Sequence, residues 1–135
     1  MPTKIFINLP VKDLDQSMEF FKKLGFSFNP QFTDETAACM VISDDIYAML
    51  LTHKKFGEFT KKKIVDATEM TEVLIALSRD SRAEVDSLAD AALAAGGKAA
   101  REPKDHGFMY ERAVEDPDGH IWEIFWMDPS AVAKS

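Results

Sequence analysis

The hydrophobic positions of the first half of the chain change their period once, from a short apolar run to a helical spacing. Residues 4–11 are rich in Ile, Phe and Val, which predicts a strand, and Pro10 near its end suits an edge or terminal position. From Asp13 to Gly25 the apolar residues recur at helical gaps, which predicts an amphipathic helix. Three extended segments then follow between turn-forming residues: 26–32, 35–42 and 46–53. The first half therefore predicts the order β-α-β-β-β.

The second half repeats this order. Residues 72–78 read as a strand, and Ser81 with Glu84 three positions later forms a capping box that opens a helix. Two glycines end that helix at 96–97, and the next extended segments are 98–103, 108–115 and 120–127. The last two are joined by Asp-Pro-Asp-Gly, a strong tight-turn signal. A repeat of this kind predicts two copies of one supersecondary unit.

The repeat defines the expected domain organisation. We expect one α+β domain over residues 1–135, made of two βαβββ units at about 4–53 and 70–128 that form a curved mixed-sheet cleft. A basic loop at 54–69, with no clean period and with room for a helical turn, joins the units. A chain of this length is about one domain.

Composition and charge narrow the function classes. The formal net charge is −7, and because phosphate binding relies on a basic surface, neither nucleic acid nor an anionic membrane is an expected partner. Cys39 is the only cysteine, so no internal disulfide can form, and the N-terminal residues lack a signal-peptide pattern. No apolar run reaches the length of a membrane span. We expect a cytoplasmic protein.

The basic loop departs from the acidic average. Residues 54–63 carry five lysines against one glutamate, with Phe56 and Phe59 between them. Such a loop is typically solvated, but it could also steer an anionic small molecule or form a lid over an apolar cleft.

Glu123 is the candidate with the clearest signal. It lies in the middle of the apolar segment 120–127, and strand alternation puts it on the face opposite Trp122 and Ile124. A carboxylate among large apolar residues needs a partner. Either it is held structurally by Arg112 or Tyr110 on the neighbouring strand, or it is a ligand or a catalytic base.

Two motifs carry a resemblance to a known family. Val-x-Asp-Leu-x-x-Ser-x-x-Phe spans residues 11–20, and Asp-Pro-Asp-Gly-x-x-x-Glu spans residues 116–123. On the repeated background, the chain resembles the vicinal oxygen chelate superfamily, which includes glyoxalase I, bleomycin-resistance proteins and extradiol dioxygenases. The resemblance implies two units whose sheets curve into a ligand cleft, and a homodimer.

Most of the positions that the resemblance implies for metal ligands hold side chains without a metal-donor atom. They fall on Phe6, on Ala48, on Leu74 or with a two-residue shift Glu72, and on Glu123. Because zinc, nickel and iron sites generally include imidazole, we expect no cofactor. If a divalent metal is bound, Glu123 and Glu72 are its candidate ligands.

Other candidate ligand-binding residues follow from strand parity and loop position. Phe6 and Asn8 share a face of the first strand, and an amide there can orient a ligand. Tyr110 and Arg112 share a face of the penultimate strand and could serve a bound anion or Glu123. His106, in the loop beside Gly107, lies near the cleft rim of the family fold.

Three functions stay open. The first is a metal-free protein that binds a small molecule, anionic or partly aromatic, in its cleft. The second is a divergent enzyme, lactoylglutathione-lyase-like, isomerase-like or dioxygenase-like, with Glu123 as base or as a metal ligand. The third is a protein-interaction module that uses the duplicated sheet.

Overall fold

Each half of the chain forms one four-stranded sheet with one long helix. The computed structural model describes residues 3–132. The strands are β1 Ile5–Val11, β2 Ser27–Phe28, β3 Ala37–Val41, β4 Ile46–Thr52, β5 Leu74–Ser78, β6 Lys98–Asp105, β7 Met109–Glu115 and β8 Ile121–Met127. The helices are α1 Leu14–Lys23, α2 His53–Phe56, α3 Arg82–Ala94 and α4 Pro129–Val132, with a 3₁₀ turn at Pro30–Phe32.

The two sheets have the same topology. The first has the strand order β1-β4-β3-β2 and the second β5-β8-β7-β6. In each, the first strand pairs in parallel with the last, and the remaining pairs are antiparallel. The prediction of an α+β fold with two βαβββ units is therefore confirmed. The chain divides between Asp66 and Ala67, which gives unit 1 and unit 2.

Each long helix begins at a side-chain cap, and the cap at Ser81 is the one that the sequence predicts. The Asp13 side chain accepts a hydrogen bond from the Gln16 N–H at the start of α1, and the Ser81 side chain accepts one from Glu84 N–H at the start of α3. Glu84 in turn accepts a hydrogen bond from the Asp80 N–H. Gly25 follows α1 at φ 99°, which is a conformation that favours glycine.

The core of each unit lies between its long helix and one face of its sheet. In unit 1 the fully buried residues include Val11, Phe21, Ala38, Met40, Ala48 and Leu50. In unit 2 they include Val85, Ala89, Ala92, Val114, Trp122 and Ile124. Burial of these side chains is the main favourable contribution to the stability of each unit.

The structure corrects the bounds of several predicted elements. Only Ser27 and Phe28 of segment 26–32 pair as a strand, because the Asn29 side chain caps the 3₁₀ turn that Pro30 begins. The strand predicted at 72–78 begins at Leu74, so Glu72 precedes it. A helical turn, α2, does occur at the start of the predicted loop. The short helix α4 was not predicted.

Register also corrects the correspondence between the two units. The pairs Asn8–Met49 in unit 1 and Ala76–Glu123 in unit 2 hold equivalent places in the parallel strand pairs. Met49, rather than Ala48, is therefore the counterpart of Glu123. Ala48 is fully buried and belongs to the core, where it corresponds to Trp122.

The turn between β7 and β8 is held by a buried carboxylate. Asp116 accepts hydrogen bonds from the Asp118 and His120 N–H groups and from the Trp122 indole at 3.0 Å. Burial raises the pKa of Asp116, although His120 and the indole bond act in the opposite direction. The Asp-Pro-Asp-Gly motif is thus explained by structure alone.

Gly119 in this turn has no room for a side chain. Its φ is 89°, and a Cβ built on it would lie 2.7 Å from backbone atoms of Ala67 and Thr68. The turn therefore packs closely on the first residues of unit 2. Among residues 3–132, no helix is both long and apolar enough to cross a membrane.

We predict that Gly119→Ala destabilises the protein far more than Gly107→Ala does. Both glycines have a positive φ, which costs an L-residue about 1–2 kcal/mol. A Cβ at Gly107 meets nothing within 4 Å, whereas the backbone contact at Gly119 adds about 1–3 kcal/mol of overpacking. Urea unfolding gives the free energy of unfolding of both variants. Equal losses of stability in the two variants would contradict the close contact at Gly119.

Candidate functional site

The sheet of unit 2 has two chemically different faces. Trp122 and Ile124 are buried on the face that packs against α3, which we call the helix side. Residues of β7 and β8 that alternate with them lie on the far face, the face opposite α3: Glu111, Ala113, Glu123 and Phe125. The expected orientation of Glu123, opposite Trp122 and Ile124, agrees with this register.

Glu123 on the far face is held by Arg101. One guanidinium nitrogen, Nη2, donates to Glu123 Oε2 and to Glu111 Oε1, each at 2.8 Å. The three side chains are only partly exposed, with 28% for Arg101, 17% for Glu111 and 23% for Glu123. We call these three residues the Glu–Arg–Glu triad. Partial burial makes its charge-assisted bonds stronger than those of surface ion pairs.

An irregularity in β6 brings Arg101 to the far face. Ala99 pairs with Val114, but Arg101 pairs with Ala113, so one extra residue is inserted between the two pairs. A second shift follows between Arg101 and Lys104. Each β-bulge reverses the alternation of side chains beyond it. Without the first bulge, Arg101 would lie on the helix side.

Ala113 then lets the arginine cross the middle strand. This residue is the register partner of both Arg101 on β6 and Glu123 on β8, so it lies between them. Its small side chain leaves space above β7 for the long Arg101 side chain to reach Glu123.

The triad leaves one polar atom unsatisfied. Nη1 of Arg101 is buried and has no hydrogen-bond partner among the described residues. A buried donor of this kind is uncommon and costs about 1–3 kcal/mol when it stays unpaired. The triad therefore contains a buried donor without a bond, which makes it an energetically costly arrangement.

Tyr110 and Arg112 lie on the helix side, not beside Glu123. The Tyr110 hydroxyl donates to Asp86 Oδ1 at 2.6 Å, and Arg112 Nη1 donates to Asp86 at 3.1 Å and to Asp90 at 2.8 Å. The expectation that either residue partners Glu123 is wrong, because alternation along β7 points them toward α3. A ligand role for both stays a prediction, on the other side of the sheet.

These contacts shift the pKa of both acidic partners. The hydrogen bond from Tyr110, followed by Arg112, lowers the pKa of Asp86 below its ordinary value. The same bond raises the pKa of Tyr110. Asp86 and Tyr110 thus favour the protonation states in which this bond forms, which ties α3 to β7.

His106 lies at the tip of the hairpin between β6 and β7. Its ring is tilted against that of Phe108 at 6.3 Å, and both residues are exposed. Arg82 holds this tip by donating to Asp105 and to the Gly107 carbonyl at 2.7 and 2.8 Å. The loop position expected for His106 is confirmed, and its ligand contact stays a prediction.

The unit 1 candidates lie on β1, at one edge of their own sheet. Phe6 stacks on Tyr47 with the ring centroids 4.7 Å apart, and Lys4 lies over the Tyr47 ring. Asn8 is exposed and is the register partner of Met49. Phe6 and Asn8 thus share one face with Tyr47 and Met49, which gives unit 1 an apolar and amide surface without an acidic group.

The predicted connecting loop presents an aromatic residue between charges. Lys55 pairs with Glu58 at 3.4 Å and lies 5.6 Å from the Phe59 ring centroid. Phe59 itself is well exposed. A lid role and an anion-steering role for this loop stay predictions.

The residues at the implied metal-ligand positions do not fit a metal ion. Phe6 and Leu74 have no donor atoms, and the Met49 thioether suits soft ions such as Cu(I) rather than zinc, nickel or iron. Glu123 is paired with a cationic side chain whose spare group is another N–H donor. Glu72 precedes β5 and is exposed. Within the part of the chain that the structure describes, no three His, Cys, Asp or Glu side chains form a possible metal cluster.

Two sheets of this topology, each with its helix after the first strand, define a glyoxalase-like fold. The family model of the Glyoxalase/Bleomycin resistance protein/Dioxygenase superfamily matches residues 5–124, so the chain belongs to this superfamily. No curated protein sequence matches the chain significantly.

Solved structures share the fold over most of their length. A hypothetical protein, SA1046 from S. aureus, is 31% identical, with 93% of this chain and 95% of that chain covered and a TM-score of 0.78. A glyoxalase-related enzyme from Fulvimarina pelagi is 23% identical, with coverages of 93% and 88% and a TM-score of 0.78. The fosfomycin resistance protein FosX from Mesorhizobium loti is 15% identical, with 98% of each chain covered and a TM-score of 0.71.

Sequence reasoning missed Arg101 and Glu111 as partners of Glu123. Both lie in segments that were predicted as strands. Glu111 directly precedes Arg112 on β7, and its side chain lies on the opposite face of the sheet. A signal existed for Glu111, because alternation from Tyr110 puts it on the opposite face. None existed for Arg101, because the β6 bulges are not visible in the sequence pattern.

We predict that Asp86→Asn removes part of the acid sensitivity of the fold. Because the folded-state pKa of Asp86 is lowered, its contribution to stability is complete above the unfolded value of about 3.9 and is lost as pH falls through the folded value. The variant should be less stable than the wild type at neutral pH, with a difference that shrinks in acid.

Urea midpoints over a pH series measure this difference. Tyr110→Phe is a second test: it removes the bond that lowers the pKa of Asp86 most and keeps the charge, so it too should weaken the pH dependence. An unchanged pH dependence in Asp86→Asn would show that this carboxylate is not responsible.

Proposed function

We propose that this protein binds a small molecule without a resident metal ion, with the Glu–Arg–Glu triad as the polar centre of its ligand site. The observation that carries the proposal is the pairing of Glu123 with Arg101. Glu123 is the one strand position implied for a metal ligand that has a carboxylate. The positive charge beside it is the guanidinium of Arg101, which takes the place that a metal ion would have.

The far face of unit 2 has the composition of a ligand site. Ligand sites are mostly apolar with a few fixed polar groups. Phe125, Ile121 and Leu74 share the face with the triad, and Leu74 is 55% exposed. The Arg101 guanidinium, whose side chain is 28% exposed, favours a ligand that brings an oxygen acceptor, such as a carbonyl group.

The charge of the triad argues against the anionic ligand that was one of the expectations from the sequence. Two glutamates and one arginine leave a net negative charge, which disfavours a fully anionic ligand at this place. An amphiphilic or aromatic molecule with a neutral oxygen acceptor fits better. The membership in a superfamily named for glyoxalase, bleomycin resistance and dioxygenase proteins supports a small-molecule ligand in general.

Metal analysis of the purified protein tests the metal-free part of the proposal. We expect substoichiometric zinc, nickel, manganese and iron in protein prepared without chelator, and no change in thermal stability on adding EDTA. Stoichiometric metal that is lost in Glu123→Gln would overturn the proposal and favour a metal-dependent enzyme.

Ligand binding is tested by calorimetry against aromatic antibiotics and glutathione adducts. We expect at least one compound to bind, to bind equally with EDTA present, and to lose about tenfold or more in affinity in Arg101→Met. Lys98→Met removes a charge from the same strand without any contact to the triad and should leave the affinity unchanged. If no compound binds, an interaction module becomes the better hypothesis.

We further propose a homodimer that covers the edge of β1. Ile5 is 51% exposed there, and Phe6 and Ile46 beside it are also exposed. Strand β1 is an edge strand of its own sheet, and an exposed apolar edge favours association with a second copy.

Sedimentation equilibrium tests this association. The wild type should have about twice the chain mass of 15.1 kDa, and Ile5→Glu should shift it toward the monomer. The matched control is Leu93→Glu, since Leu93 is a 37% exposed apolar residue on α3 and is not part of the β1 edge. A monomeric wild type would contradict the dimer.

A further inference from the structure

Arg101 brings two carboxylates to a single nitrogen atom. Glu111 on β7 and Glu123 on β8 both accept from Nη2 at 2.8 Å, so their oxygens lie within reach of one cation. The geometry is that of two acidic ligands around a central positive charge, and the centre is part of the chain.

The cost of this arrangement argues that the arginine does more than stabilise the sheet. Nη1 is buried and has no hydrogen-bond partner among the described residues, and the β-bulge between Ala99 and Arg101 is needed to bring the side chain to this face. An apolar residue at position 101 would avoid both the unsatisfied donor and the buried charges, and such replacements are often neutral or stabilising when the partners are replaced too.

We propose that Arg101 is a positioning residue that acts as the tethered cation of the site. It fixes the Glu123 carboxylate by pairing with it, and it excludes divalent cations from the Glu111–Glu123 pair by occupying the place between them. The inference rests on the proposed function only in requiring that the wild type has no resident metal.

Removing the guanidinium should open the pair to a metal ion. The two carboxylates would then face each other with no positive charge between them, and their mutual repulsion favours the binding of any cation. Carboxylate oxygens suit hard divalent ions such as Mn²⁺, Mg²⁺ and Ca²⁺. A guanidinium, which cannot lose its proton in a protein, prevents this binding over the whole physiological pH range.

The test measures Mn²⁺ binding by wild type and Arg101→Gln. Electron paramagnetic resonance of free Mn²⁺ counts the ions bound, and calorimetry gives the affinity. We expect no saturable binding to the wild type, and binding of one Mn²⁺ per chain to Arg101→Gln that is about tenfold or more tighter than any residual wild-type binding. The double variant Arg101→Gln/Glu123→Gln should lose it.

Two single variants separate this role from a structural one. Arg101→Lys keeps a positive charge on the same strand and should still exclude Mn²⁺. Lys98→Gln removes a positive charge from β6 without contacting either glutamate, and it should bind no Mn²⁺. A structural role alone would move the stability of these variants but would not create a metal site in one of them.

Each outcome decides the proposal. If Arg101→Gln is only marginally folded, Mn²⁺ should raise its melting temperature, since an ion that binds only the folded state stabilises it. A folded variant that binds no Mn²⁺, or one that stays unfolded with millimolar Mn²⁺, overturns the tethered-cation role and leaves the proposed function standing. Stoichiometric metal in the wild type, lost in Glu123→Gln, overturns both.

Discussion

Packing of one long helix against one face of each sheet decides which side chains are available for function. In unit 2, Val85 and Ala92 of α3 are fully buried, as are Trp122 and Ile124 of β8 on the helix side. Strand alternation then sends Glu111 and Glu123 to the far face and Tyr110 and Arg112 to α3. Every polar contact described for these residues follows from that division.

Most strands, the two long helices and the Ser81 cap could be predicted because their signals are local. Ser81 caps α3 as the sequence indicates, and the orientation of Glu123 follows from the regular pairing of β7 with β8. The partner of Glu123 could not be predicted. Arg101 reaches the far face only because β6 contains bulges, and a bulge is a property of two paired strands rather than of one segment.

The family motifs are explained by folding more than by chemistry. Asp13 caps α1. The Asp116 carboxylate accepts hydrogen bonds from two backbone N–H groups and from the Trp122 indole in the turn between β7 and β8. Glu123 is the one motif position whose side chain reaches the far face. The motifs thus act as folding signals, while the positions that the resemblance implies for metal ligands hold Phe6, Met49 and a guanidinium-bound carboxylate.

The close contact between Gly119 and the backbone of Ala67 and Thr68 has a consequence for dissecting the chain into fragments. Those two residues precede β5, yet they form the surface on which the last turn rests. A fragment of the second half that began at residue 70 would contain every strand and helix of unit 2 and would still leave this turn uncovered. A fragment of the second half that keeps this contact must therefore start no later than Ala67, which is the first residue of unit 2.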